Sequence, residues 1–113
     1  MATNQYKFLG TNLTTDVEQT LLTPSQAGAG AVETVIIKSF RVTNTTGNTP
    51  TIIITNGTTK IINLQTLAAN TSVEILTLPL IVESGVGLKV KISSSDSIDI
   101  GISYLNITQE VTV

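Results

Sequence analysis

Between Gly87 and Leu105 the chain reads GLKVKISSSDSIDIGISYL, with apolar and polar residues alternating one for one on both sides of a Ser/Asp turn. A period of two places successive side chains on opposite faces of an extended backbone, so each half has one dry face and one wet face. Leu88, Val90 and Ile92 are expected to point inward, with Lys89 and Lys91 in water. After the turn Ile98, Ile100, Ile102 and Tyr104 are expected inward, with Asp99 and Ser103 outward. The stretch reads as a hairpin built for packing, and it contains no reactive group.

The rest of the chain carries the same preference. It holds 20 Thr, 14 Ile and 10 Val among 113 residues. β-branched side chains lose rotamer freedom in a helix and pack well on a pleated surface, so strands are expected almost everywhere. Turn clusters recur at intervals of about ten residues, the spacing of a sandwich or barrel. The strand candidates are Gln5–Leu9, Val17–Leu22, Val32–Asn44, Thr51–Thr55, Thr58–Leu64, SVEILTL and LIVESG on either side of Pro79, Gly87–Ser93 and Ser97–Ile107. Asn56-Gly57 is a strong hairpin signal and is read as a type I′ turn. The expected fold is all-β: an antiparallel two-sheet β-sandwich, jelly-roll or immunoglobulin-like, of about eight strands with little or no helix.

One domain, 1–113, accounts for the length, and a chain of this size buries roughly two thirds of the surface it exposes when unfolded. Residues 1–4 read as a flexible N-terminal arm. TPSQAGAGA holds a flexible loop at 25–31, and alternation continues through 108–113 as a possible C-terminal strand extension. The opening MATNQYKFLG does not read as a signal peptide, and no run approaches the roughly 18 apolar residues of a membrane span.

Charge and residue usage exclude several function classes. Net charge is −2, and six Lys and Arg are scattered through the chain, so the basic stripe of a nucleic-acid binder is missing. The chain has no Cys and no His, which removes disulfides, thiolate metal sites and the usual general base together. Asp16 and Glu18 share a strand face and read as a solvated edge. Asp96 and Asp99 at the Ser-rich turn are oxygen ligands of the kind a hard cation takes, but an Asx turn explains them as well. SQAGAGA lacks the Lys and the following helix of a phosphate loop. Asn12, Asn44, Asn56, Asn70 and Asn106 each begin an N-x-S/T match, a pattern that Thr-rich turns produce readily. No catalytic residue, cofactor site or metal site is assigned, and no enzyme is expected.

Three runs break the alternation: Val35-Ile36-Ile37, Ile52-Ile53-Ile54 and Ile61-Ile62 offer apolar groups to both faces of their strands. A two-layer sandwich buries one face of each sheet, so the other is either covered by the arm or loop, or meets another subunit. Tyr6, Phe8, Phe40 and Tyr104 are the only aromatics and read as core or subunit-contact residues. Arg41, the sole Arg, pairs with a carboxylate or reaches the rim, and Lys38 is read the same way. The candidate subunit or capsid contacts are therefore Tyr6, Phe8, Val35, Ile37, Arg41, Ile53 and Ile61.

YKFLGTNLTTDVEQTLLTPSQ, ETVIIKSFRVTNTTGNT and LPLIVESGVGLKVKISSSDSIDIGISYLNI together resemble small all-β virion proteins of tailed bacteriophages. The shared pattern is an opening strand before LTT, a strand running into VTNTTG, an L-P-L-x-V-E-S/A-G-D-x-L-K passage and a closing SYLEI-like strand. The sequence departs from it at Val86, where the pattern has Asp, and at Asn106, where it has an acid. The resemblance implies a non-enzymatic particle component made in the host cytoplasm and located in the virion. Its leading form is a capsid decoration or cement subunit that binds the major capsid protein lattice as a homo-oligomer, dimer or trimer. A neck, collar or tail adaptor or fibre-attachment protein is the alternative, and a module binding host-surface glycan is a second. No nucleic acid or membrane partner is expected.

Overall fold

A computed structural model describes residues 2–26 and 31–110. Among these residues nine strands form: β1 (Ala2–Leu13), β2 (Gln19–Leu22), β3 (Ala31–Asn44), β4 (Thr51–Asn56), β5 (Thr59–Thr66), β6 (Thr71–Glu74), β7 (Leu80–Val82), β8 (Leu88–Ile92) and β9 (Ile98–Glu110). No helix forms among the described residues, so none is present there that is long and apolar enough to cross a membrane. The candidate after Pro79 forms only the three-residue β7.

The strands divide into two antiparallel sheets, a long one ordered β1-β9-β3-β6, with β7 also paired to β3, and a short one ordered β2-β8-β4-β5. This interleaved order is that of a jelly roll, and it settles the alternative left open by periodicity. Only β4–β5 and β6–β7 follow one another within a sheet; every other step crosses the sandwich. The Gly87–Leu105 stretch is accordingly not a hairpin. Its halves β8 and β9 lie in different sheets, β8 against β2 and β4, and β9 against β1 and β3. Their dry faces meet across the core, where Leu88, Val90, Ile92, Ile98, Ile100 and Ile102 are all buried, as the alternation requires, with Tyr104 half-buried beside them. Each such side chain stabilises the fold by roughly 1.5–3 kcal/mol.

The apolar runs resolve in the same way. Val35, Ile37, Ile52 and Ile54 face the core, while Ile36, Ile53 and Ile61 face away. In β3 an extra residue, Lys38, interrupts the ladder with β9 between Ile37 and Ser39. This bulge shifts the inward parity from Val35 and Ile37 to Phe40, Val42 and Asn44, so both halves of a 14-residue strand keep their dry side on the core. The Glu74 carboxylate accepts the Phe40 N–H and the Ser39 hydroxyl beside the interruption. At the Asn56-Gly57 hairpin the closing pair is Asn56 and Thr59, and only Gly57 has positive φ, at 66°. Gly at the first central position is the type II′ arrangement, not type I′.

Residues 2–4 are not a loose arm: they begin β1 and pair with Ile107–Gln109 of β9. Of the expected loop, 27–30 lie outside the described residues. Ser25 is tied down, its carbonyl accepting the Glu33 N–H and its own N–H donating to the Glu33 carboxylate, both at 3.0 Å. Thr108–Glu110 of the expected C-terminal extension pair within the chain, with β1 and β3, and 111–113 lie outside the described residues.

Candidate functional site

β1, β3 and β9 have 12, 14 and 13 residues, whereas the strands of the short sheet have four to eight. The long sheet therefore extends past its partner along a molecule measuring 53 × 22 × 20 Å. No segment of the described chain is laid over its outer face, because the N-terminal residues widen the sheet instead of folding back on it.

The register arranges that face in rows. Tyr6 stands opposite Leu105, Leu105 opposite Ile36, and Ile36 opposite Ile81, so one apolar row crosses four strands from edge to edge. Tyr6 is 80% and Ile81 56% exposed, with Leu105 and Ile36 half-buried between them. The row below holds Asn4, Ile107 and Thr34, and the row above Phe8, Ser103 and Ser39. None of these residues is charged. An apolar centre with a polar rim, its one cation the exposed bulge residue Lys38 between Ile36 and Ser39, and a Tyr anchor has the composition of a protein contact surface.

Above Phe8 the face changes character. The next row is Gly10, Gly101, Arg41 and Glu74, and the next Asn12, Asp99, Thr43 and Ser72. The two glycines leave a depression of about 490 Å³ whose lining includes Phe8, Asn12, Arg41, Thr43 and Asp99. Phe8, 70% exposed, lays its ring over both glycines. Asp99, on β9, accepts from the Asn12 amide at 2.6 Å, while Asp96, in the connection just before that strand, is held by Asn48 at 2.8 Å and by the Ser94 hydroxyl. These donors keep the Asp96 carboxyl below its usual range, Ser94 contributing most. The two acids of the Ser-rich turn are thus engaged separately, and no group of three or more potential metal ligands occurs among the described residues.

Of the expected contact residues, the structure brings Tyr6, Phe8 and Arg41 onto this one face. Val35 and Ile37 do not belong with them. Each is 1% exposed, inside the core, so neither can touch a partner; the outward residue of that run is Ile36. Ile53 lies on the outer face of the other sheet beside Leu64 and Lys91. Ile61 lines a separate hollow of about 300 Å³ with Leu78 and Leu80 at the opposite edge. Leu105, Ile36 and Ile81 were missed by sequence reasoning. The signal for Leu105 was its odd position in a strand whose even residues pack inward, but parity alone does not say which faces stay open.

No family model matches the chain, and no curated protein does. Among solved structures it is similar to the nucleoplasmin-like N-terminal domain of Drosophila FKBP39, with a TM-score of 0.56 and 15% identity over 96% of this chain and 93% of that one. A subunit of disulfide-linked pili from Bacillus endospore appendages gives 0.43 and 10%, over 99% and 92%. A chain of the cyanophage Pam1 capsid asymmetric unit gives 0.43 and 14%, over 92% and 85%. The first of these likenesses shows a shared fold, the two-sheet β-sandwich.

Proposed function

We propose that this protein is a non-enzymatic structural subunit of a tailed-bacteriophage virion, and specifically a decoration or cement subunit seated on the major capsid protein lattice. The observation that carries the reading is the uncharged apolar row Tyr6–Leu105–Ile36–Ile81, open to solvent across the full width of the long sheet. A face of this kind is satisfied by burial against another protein surface, and repetition on a symmetric lattice multiplies modest single contacts. The resemblance of three long sequence stretches to phage virion proteins supports the assignment, and jelly rolls serve widely as capsid building units. Fold by itself does not specify function, so the weight rests on the face and the sequence pattern. With no His and no Cys in the chain, the reading assigns it no catalysis.

Cryo-microscopy of the particle tests the location. Density for this fold repeated over the head lattice, with Tyr6 and Ile81 at the contact, is the expected result. Density confined to a ring at the neck or tail would replace cement by an adaptor role. Absence from the particle would overturn the virion reading.

A second reading has one specific observation in its favour. Beside the exposed Phe8 ring, the glycine depression gathers Arg41, Asn12 and Asp99, a stacking surface with polar groups at its edge of the sort that holds a sugar. Glycan-array binding that is lost in Phe8→Ala would favour a host-surface carbohydrate module over a shell component.

A further inference from the structure

Four sheet edges are present among the described strands, and three of them are blunted. β2 has four residues with a register shift between Thr20 and Leu22. β5 has two shifts against β4 and is bent at Leu64, whose φ is 53°. β6 and β7 are four and three residues long. Short, bulged edges are how sheets avoid pairing with other chains.

β1 has none of this protection. Its 12 residues pair with β9 in an unbroken register from Ala2–Gln109 to Leu13–Ile98, and β9 is its only strand partner among the described residues. It contains no Pro, and Lys7 is its one charge. Lys7 lies in register with Tyr104, on the inner side, which leaves the outer side of the edge to Asn4, Tyr6, Phe8, Gly10 and Asn12. Alternate residues of such an edge turn both backbone N–H and C=O away from the sheet, a ready template for another strand.

We infer that β1 pairs antiparallel with β1 of a second copy, joining two long sheets into one continuous sheet about a two-fold axis. The strand's own chemistry selects the register. Opposed residues in an antiparallel pair share a face, so only pairings of like parity keep the outer sides together. Centring the pair on Lys7 sets two ammonium groups against each other, which disfavours it. Centring on Phe8 puts the partner's Tyr6 opposite Gly10, where the Phe8 ring already lies. Centring on Tyr6 sets Tyr6 against Tyr6, Phe8 against Asn4 and Lys7 against Gln5, without either conflict. That register also aligns the two apolar rows end to end. The inference stands on the strand edge alone and does not require the virion assignment.

The test uses the purified full chain, which has no native Cys. Equilibrium sedimentation is expected to show a monomer–dimer equilibrium, with amide exchange of alternate β1 residues slowed at least about tenfold in the dimer. Tyr6→Lys is expected to weaken the dimer at least about tenfold without unfolding the monomer, since Tyr6 is mostly exposed. Under mild oxidation Tyr6→Cys is expected to form a disulfide dimer, because opposed antiparallel residues lie about 4.5–5.5 Å apart at Cα; Asn12→Cys is not. A protein that stays monomeric at about 100 μM, well above a micromolar dissociation constant, would overturn the proposal. So would a dimer whose β1 amides exchange as fast as the monomer's, since packing through faces leaves the edge unprotected. Cross-linking through Lys7→Cys in place of Tyr6→Cys would overturn the register.

Discussion

The Phe8 ring lies across Gly101: two of its carbons come within 3.2 Å of where a Cβ on Gly101 would stand, and a third reaches 2.9 Å from the same point on Gly10. Glycine in a strand interior forfeits packing, and an aromatic laid over it from the neighbouring strand restores part of that loss. Neither glycine has positive φ, so each position accepts a side chain as far as the backbone is concerned.

Gly101→Ala is therefore expected to leave the fold intact while pushing the ring aside. Stability should change by less than about 1 kcal/mol, because reduced unfolded-state entropy offsets the lost ring contact. The ring-current shift on the Gly10 α-protons should disappear. A retained shift would mean that the ring does not occupy the glycine bed in solution.

Asn44→Ala is expected to cost about 2–3 kcal/mol, because it leaves several buried polar groups unpaired at once. The Asn44 side chain is 2% exposed. Its amide donates to the carbonyls of Asn48, Ala68 and Leu67 at 2.8, 3.2 and 3.3 Å, and its oxygen accepts the Thr46 N–H and hydroxyl at 3.0 and 2.8 Å. One residue thus joins the end of β3 to the chain between β5 and β6. Asn44→Asp should be worse than Ala near neutral pH, since it aims a carboxylate at three carbonyl oxygens. Urea midpoints at unchanged m-value measure both.

Acid should weaken the protein partly through Glu33. The Asn106 amide donates to its carboxylate at 2.9 Å and the Ser25 N–H at 3.0 Å, and these bonds, Asn106 first, hold its pKa below the ordinary carboxylate range. A depressed folded-state pKa means the stabilisation is present above the unfolded value and is lost as pH falls through the folded one. Without His, carboxylates are the only side chains titrating between about pH 3 and 7. Glu33→Gln should therefore be less stable than the parent at pH 7, and the gap should narrow on acidification. A gap that widens toward low pH would reject this account.

Ile37 and Tyr6 separate core from open surface, at 1% and 80% exposure. Ile37→Ala should cost about 2–5 kcal/mol through lost burial and a cavity. Tyr6→Ser should stay within about 0.5 kcal/mol, because an exposed side chain on a strand contributes little to the isolated fold. Thermal or denaturant unfolding of the two variants decides it. A Tyr6→Ser protein as unstable as Ile37→Ala would mean that Tyr6 is buried in solution, by association or by the chain itself.

How far the residues could be read follows from particular cases. Leu88, Val90 and Ile92, and Ile98, Ile100 and Ile102, were assigned to the dry side correctly because side-chain alternation is a property of one strand and its solvent boundary. Tyr6, Phe8 and Arg41 lie exposed on one sheet face, an arrangement that their separate positions in the sequence do not encode. Val35 and Ile37 were not separable from Ile36, since three consecutive apolar residues satisfy either parity. The Lys38 bulge, which reverses parity within β3, leaves no mark in a periodicity count. The role of Asn44 was hidden among five similar sequons, because its partners lie on segments distant along the chain.

Residue order alone thus determined that the regular structure of the chain is strand, which side of its regular strands is dry, and that it has no His and no Cys. Only the tertiary structure decided that β8 and β9 face each other across the core instead of pairing side by side. A dry strand face is buried equally well by a neighbour opposite it in either arrangement, and hydrogen-bonding partners are chosen by the whole set of strands competing for edges. The same competition left β1 as a long open edge and placed Tyr6, Leu105, Ile36 and Ile81 in one row, a juxtaposition of residues up to 99 positions apart that no local pattern encodes.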